Sequence, residues 1–117
     1  MAIRFAPVAK VATDVPIQML REDGGYDVGD LRVTYKVEPH SKFRELARRF
    51  GADEISAAQL LRDRVLDVEG VLDDDGQARE CSGQLIDKMA DDPDIGPALI
   101  DHWMRLQTRR DKEAEKN

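Results

Sequence analysis

In the first third of the chain, apolar side chains recur at every second position in two separate runs. Val11, Val15, Ile17 and Met19 share odd parity, and so do Leu31, Val33, Tyr35 and Val37, with polar Arg32, Thr34 and Lys36 between them. A period of two puts alternate side chains on opposite faces of a strand, so each run predicts a strand with one buried and one wet face. Between them lies Glu22-Asp23-Gly24-Gly25-Tyr26-Asp27-Val28-Gly29-Asp30. Its glycines permit positive φ, but the stretch is too long for a two-residue turn, which predicts a mobile loop. Pro16 has no N–H to give a ladder, so the first strand should lie at an edge or break there.

After Pro39 the period changes. Phe43, Leu46, Ala47 and Phe50 follow the spacing of one apolar helical stripe, with Ser41 as the expected cap and Gly51 as the expected stop. Asp53 is then expected to cap a second helix through Ile55, Ala58 and Leu61, with Val65 open as either its last apolar position or the start of the next element. Val65–Leu72 reads as a strand, Asp73-Asp74-Asp75-Gly76 as a turn, and Gln77–Glu80 as a short return strand of a second hairpin. Ser82 can cap a third helix through Leu85, Ile86 and Met89, which Asp91-Asp92-Pro93-Asp94 breaks. A last helix places Ile95, Leu99, Trp103 and Leu106 on one face, with His102 beside them and Pro97 in the first turn, where its missing N–H costs nothing. The charged remainder is expected to be a flexible tail. The sum is an α+β single small domain over residues 1–107, its hairpins packed on about four short helices, with a charged C-terminal tail over residues 108–117.

The 117 residues are 41% apolar and 36% charged, with only 5% aromatic, so the core must be thin and built mainly from Leu, Ile, Val and Met. A net charge of −6 repels phosphate backbones, which argues against nucleic acid as a partner. Arginines are interspersed among the acids, so the charge reads as a solubilising surface rather than a mimic of DNA. The single cysteine, Cys81, cannot form an internal disulfide and suits a reducing compartment. No apolar run approaches the roughly 20 residues that cross a bilayer, so no membrane partner is expected.

Chemistry is hard to find. His40 and His102 are the only histidines, and neither has a nucleophile and acid at recognisable spacing. Cys81 lies at a predicted helix start but reads as a packing residue. Aligning Gly76 with the invariant glycine of a calcium loop puts Val71 and Ser82 at ligand positions, so the aspartates read as a turn. The sequence therefore predicts a chain that is not an enzyme, with no catalytic residues, no metal ligands and no cofactor.

One stretch has a family likeness. Val65–Leu85 runs as an apolar strand ending in Gly70-Val71, an acidic turn closed by Gly76, a short strand, and Ser82 opening a helix. This resembles the central signature of tail assembly chaperones of long-tailed phages, although Val68 and Cys81 stand where that family often has a Trp and an aromatic residue. The resemblance implies a protein that binds the tape measure protein, recruits tail tube subunits in the host cytoplasm and is absent from the mature virion. Self-association is left open. A small acidic inhibitor of a host protein, and a structural tail or head-completion subunit, are the alternatives. Partner contacts are expected at Trp103, Leu106, Arg109 and Arg110, then at the Gly24–Gly29 loop. Removing Gln107–Asn117 should then weaken partner binding and leave stability nearly unchanged.

Overall fold

The structure is a computed structural model that describes residues 2, 3, 5 and 8–108. Strands β1 (Lys10–Leu20) and β2 (Tyr26–Lys36) come first. Helices α1 (His40–Gly51) and α2 (Ala57–Arg64) follow, then β3 (Val65–Glu69), α3 (Gly83–Asp91) and α4 (Ile95–Thr108). Among the described residues the strands form one antiparallel sheet in the order β1-β2-β3. This is the α+β domain that the alternation and the stripes predict.

The sheet obeys its parity. Val15, Ile17, Leu31, Val33 and Tyr35 point into the core, while Ala12, Asp14, Pro16, Gln18, Arg32 and Lys36 are exposed on the other face. All four helices therefore share one side of the sheet. Pro16 sits in an edge strand, where the lost N–H is tolerated. The strand β3 breaks the period of two: Val65 and Val68, three residues apart, are both buried, and Leu66 is exposed. A register shift opposite Thr34 and Tyr35 reconciles them, since a bulge lets one extra residue pass without turning the next side chain outward.

The long mobile loop expected between the first two strands is not there. Pairing continues to Leu20 and Tyr26, and the chain reverses within Arg21–Gly25. Gly24, at φ 86°, donates its N–H to the Arg21 carbonyl at 3.0 Å, and Arg21 donates to Gly25 at 2.8 Å. Ladder bonds join backbone groups whatever side chains they carry, so Asp27, Gly29 and Asp30 become strand although their composition suggests a loop. The second hairpin shrinks instead. Gly70, at φ 103°, turns the chain out of the sheet. In place of a return strand, a single bridge at Leu72 and Ala78 spans the acidic turn, flanked by bonds from Asp73 to Gln77 and from Arg79 to Val71. The Asp73 carboxylate accepts from the N–H groups of Asp75 and Gln77, both at 2.9 Å, which gives this acid its local role.

Capping corrects three expected positions. Helix α1 starts two residues earlier than a Ser41 cap requires, because Phe43 already donates to the Pro39 carbonyl at 2.9 Å. It also runs through Gly51. The left-handed residue that ends it is Asp53, at φ 59°, with Asp53 donating to Phe50 and Glu54 to Arg49 in a Schellman pattern. Asp53 is thus a stop and not a cap. Ser56 caps α2, in a reciprocal box with Gln59. Ser82 caps α3 as expected, accepting from Leu85 at 3.1 Å, and Asp92 accepts from Ile95 at 2.9 Å.

A non-glycine residue in the left-handed region stores strain that glycine would not. Asp53→Gly should therefore raise stability by about 0.5 kcal/mol, read as a higher urea midpoint with an unchanged slope.

Candidate functional site

Of the residues expected to bind a partner, Trp103 is wholly buried. Its ring meets Phe43 edge-on at 5.3 Å, and its Nε1–H donates to the Lys36 carbonyl at 3.2 Å. Having no exposed surface, it cannot be a contact residue; the spacing that put it on an apolar face placed it in the core. Leu106 is half-buried against that core. Arg109 and Arg110 lie outside the described residues.

The end of α4 is more firmly tied down than its polarity suggests. The Gln107 side chain donates to the Glu38 carbonyl at 3.0 Å and accepts the Glu38 N–H at 2.6 Å. One amide thus satisfies both backbone groups at the point where β2 runs out, as a neighbouring strand would. Beside it, the buried Glu38 carboxylate faces Arg64 at the C-terminal end of α2, with Nε 3.4 Å from Oε2, and also Lys36 at 3.5 Å. The position of Arg64 suits the negative end of the helix dipole. Arg64 Nε itself makes no hydrogen bond among the described residues, so Coulomb attraction rather than a formed bond holds it there. The sequence carries no signal for this pair, because both partners read as solvated charges.

His102, read as structural from the sequence, stacks on Tyr35 with ring centroids 6.3 Å apart and lies 3.2 Å from the Thr13 hydroxyl. Burial, chiefly, and the nearby Arg105 charge lower its pKa, with Asp101 opposing. His40 opens α1 on the surface, and Cys81 is half-buried against the core. Among the described residues no group of three His, Cys, Asp or Glu is placed to hold a metal ion, and no helix is long and apolar enough to cross a membrane.

The described surface does offer apolar depressions, and two of them bear on binding. One lies on the helical side, about 350 Å³, where Phe50 and Ala57 face Ala90, Pro97, Ile100 and Met104, with Asp101 at the rim. The other, about 560 Å³, lies at the far end of the hairpin. Ile17, Met19 and Leu31 form its floor, Asp27–Asp30 one wall, Gly70–Leu72 the other, and Ile95 its end. Val28 and Leu72 stand on this rim with 76% and 61% of their surface in solvent. The Gly24–Gly29 stretch expected as a second contact region overlaps this wall. The sequence signal for the groove was faint: Val28 in one acidic, glycine-containing segment and Val71-Leu72 in another.

No family model, curated protein or solved structure matches the chain.

Two outcomes follow. A chain ending at Thr108 should melt as the full chain does, whereas one ending at Leu106 loses both Gln107 bonds, worth about 1–2 kcal/mol together, and should melt several degrees lower by circular dichroism. The second concerns pH. A histidine whose folded pKa lies below its unfolded value of about 6.5 is protonated more readily after unfolding. Its contribution is intact at higher pH and is lost as pH falls below about 6.5. The melting temperature should therefore drop between pH 7 and 5, and His102→Gln should flatten that drop.

Proposed function

We propose that this chain is a non-enzymatic protein-binding module acting as a phage tail assembly chaperone. It would bind the tape measure protein, recruit tail tube subunits in the host cytoplasm and leave before the virion is complete. The observation that carries the reading is the unit from Val65 to Asp91. A strand turns out of the sheet at Gly70, an aspartate turn closes at Gly76 with φ 79°, and Ser82 caps α3. The order of strand, aspartate turn and capped helix supports the reading, while the short return strand of that signature is reduced to one bridge at Ala78.

Physical argument supports the same reading. A tape measure protein is long and helical, and alone it exposes apolar stripes that must be covered reversibly. The depression between α1, α2 and the α3–α4 layer is apolar, shallow and shaped by helices, which suits an amphipathic helix laid against it. Its rim is charged, so the surface stays soluble when unoccupied. The outward side of α4, at Pro97 and Met104, then takes the place that Trp103 had as a contact.

The reading is tested by co-expressing the chain with the tape measure protein of a long-tailed phage. Capture of a soluble complex, weakened by Met104→Lys in a variant that melts normally, is the expected result. Mass spectrometry of purified virions should lack this chain. Stoichiometric presence in the virion would overturn the chaperone reading in favour of a structural subunit.

A further inference from the structure

The groove at the end of the hairpin is left unused by the reading above, and the chain itself carries a segment that fits it. Strand β3 pairs with Arg32–Tyr35, so among the described residues the part of β2 from Tyr26 to Leu31 has a strand neighbour, β1, on one side only. Its other edge opens onto the apolar floor of Ile17, Met19 and Leu31. Open backbone beside apolar side chains is the chemistry that takes up an added strand. The walls are acidic: Asp27 and Asp30 stand on one side, and Leu72 on the other leads into Asp73, Asp74 and Asp75.

The segment that precedes β1 has the complementary character. Ile3 and Phe5 are each 92% exposed, and Val8 is 52% exposed. From Ala2 to Lys10 the sequence holds two basic residues, Arg4 and Lys10, and no acid. Ile3 and Phe5 are two positions apart, so an extended backbone presents them on one face. Large apolar side chains this exposed are the ones a partner is expected to cover.

Reach decides whose groove they fill. Ala9 accepts from the Val37 N–H at 2.9 Å, so the segment leaves the sheet at the end opposite the groove. From Ala9 to Ile17 the strand rises about 27 Å at ~3.4 Å per residue. Even fully extended and doubled back, the chain from Ala9 spans about 21 Å to Ile3 and about 14 Å to Phe5. On its own chain the segment therefore reaches at most the near end of the groove at Leu31, and neither side chain can reach the floor at Ile17 and Met19.

We propose that the segment bearing Ile3 and Phe5 docks as an added strand in the acid-walled groove of a second copy. The contact is heterologous, with different patches meeting, so copies can join head to tail or exchange segments reciprocally in pairs.

The test uses the purified full chain without any tail protein, so it fails or succeeds separately from the chaperone reading. Sedimentation velocity across a concentration series should show association of the full chain. Ile3→Asp with Phe5→Asp disables the segment, and Val28→Asp with Leu72→Asp disables the groove; all four side chains are exposed, so both variants should melt as the parent does. Each variant alone should sediment as a monomer, its association weakened at least ten-fold. Mixed in equal amounts, they should form a heterodimer and nothing larger, because one intact segment meets one intact groove. A parent chain that stays monomeric at high concentration would overturn the proposal. So would variants that associate like the parent, or a mixture that remains two monomers. Capture of the tape measure protein by the groove in a chain that never self-associates would assign the groove to that partner instead.

Discussion

Helix α4 is fastened to β2 by two hydrogen bonds from buried rings that run in opposite directions. Tyr35, on the strand, donates its hydroxyl to the Leu99 carbonyl at 2.8 Å; Trp103, on the helix, donates its indole N–H to the Lys36 carbonyl at 3.2 Å. Both rings are wholly buried, and burial pushes the Tyr35 hydroxyl pKa far upward, so it stays a donor. In a core with so few aromatic side chains, these two supply bulk and direction at once. They set where α4 crosses the sheet, and the other helices take their places around it.

That attachment also determines which surfaces remain open. With α4 pinned along the near half of the hairpin, the Gln107 amide closes the end of β2. At the far half the Leu20 N–H donates to the carboxylate of Asp94, just before α4, at 3.0 Å. The outer hairpin is therefore covered incompletely, and the groove is what the helices leave behind. The chain's charge works with this layout. Exposed pairs such as Arg48 with Glu45 and Glu54, Arg62 with Asp87, and Arg105 with Asp101 keep the helical surface wet, each contributing little alone. Apolar side chains that stay exposed stand out against such a surface as places for another protein.

Much of the architecture was legible in the residues. The parity of Val15 and Ile17 against Leu31, Val33 and Tyr35 gave both the hairpin and its inward face, and Ser82 marked the start of α3. Errors clustered where a backbone preference met a tertiary demand. Asp27–Asp30 looks like a loop by composition, yet ladder bonds extend the strand through it. Ser41 and Asp53 are good cap residues displaced by a helix that starts early and overruns its glycine. Trp103 was read as a contact residue because an apolar stripe has the same spacing whether it meets the core or a partner. The groove was the least visible feature, since it is made by residues from three distant stretches.

The sequence by itself determined the strand and helix periods, the glycine chemistry at Gly24 and Gly76, and the acidic surface, because these depend on side chains within a few residues of one another. Only the tertiary structure decided that Glu38 and Arg64 are buried together, that Gln107 closes β2, that Trp103 faces inward, and that β3 stops short of the hairpin's far half. Each of these depends on which distant segment arrives alongside. Local spacing can show that a side chain will be covered, but the nearest neighbours in space determine what covers it.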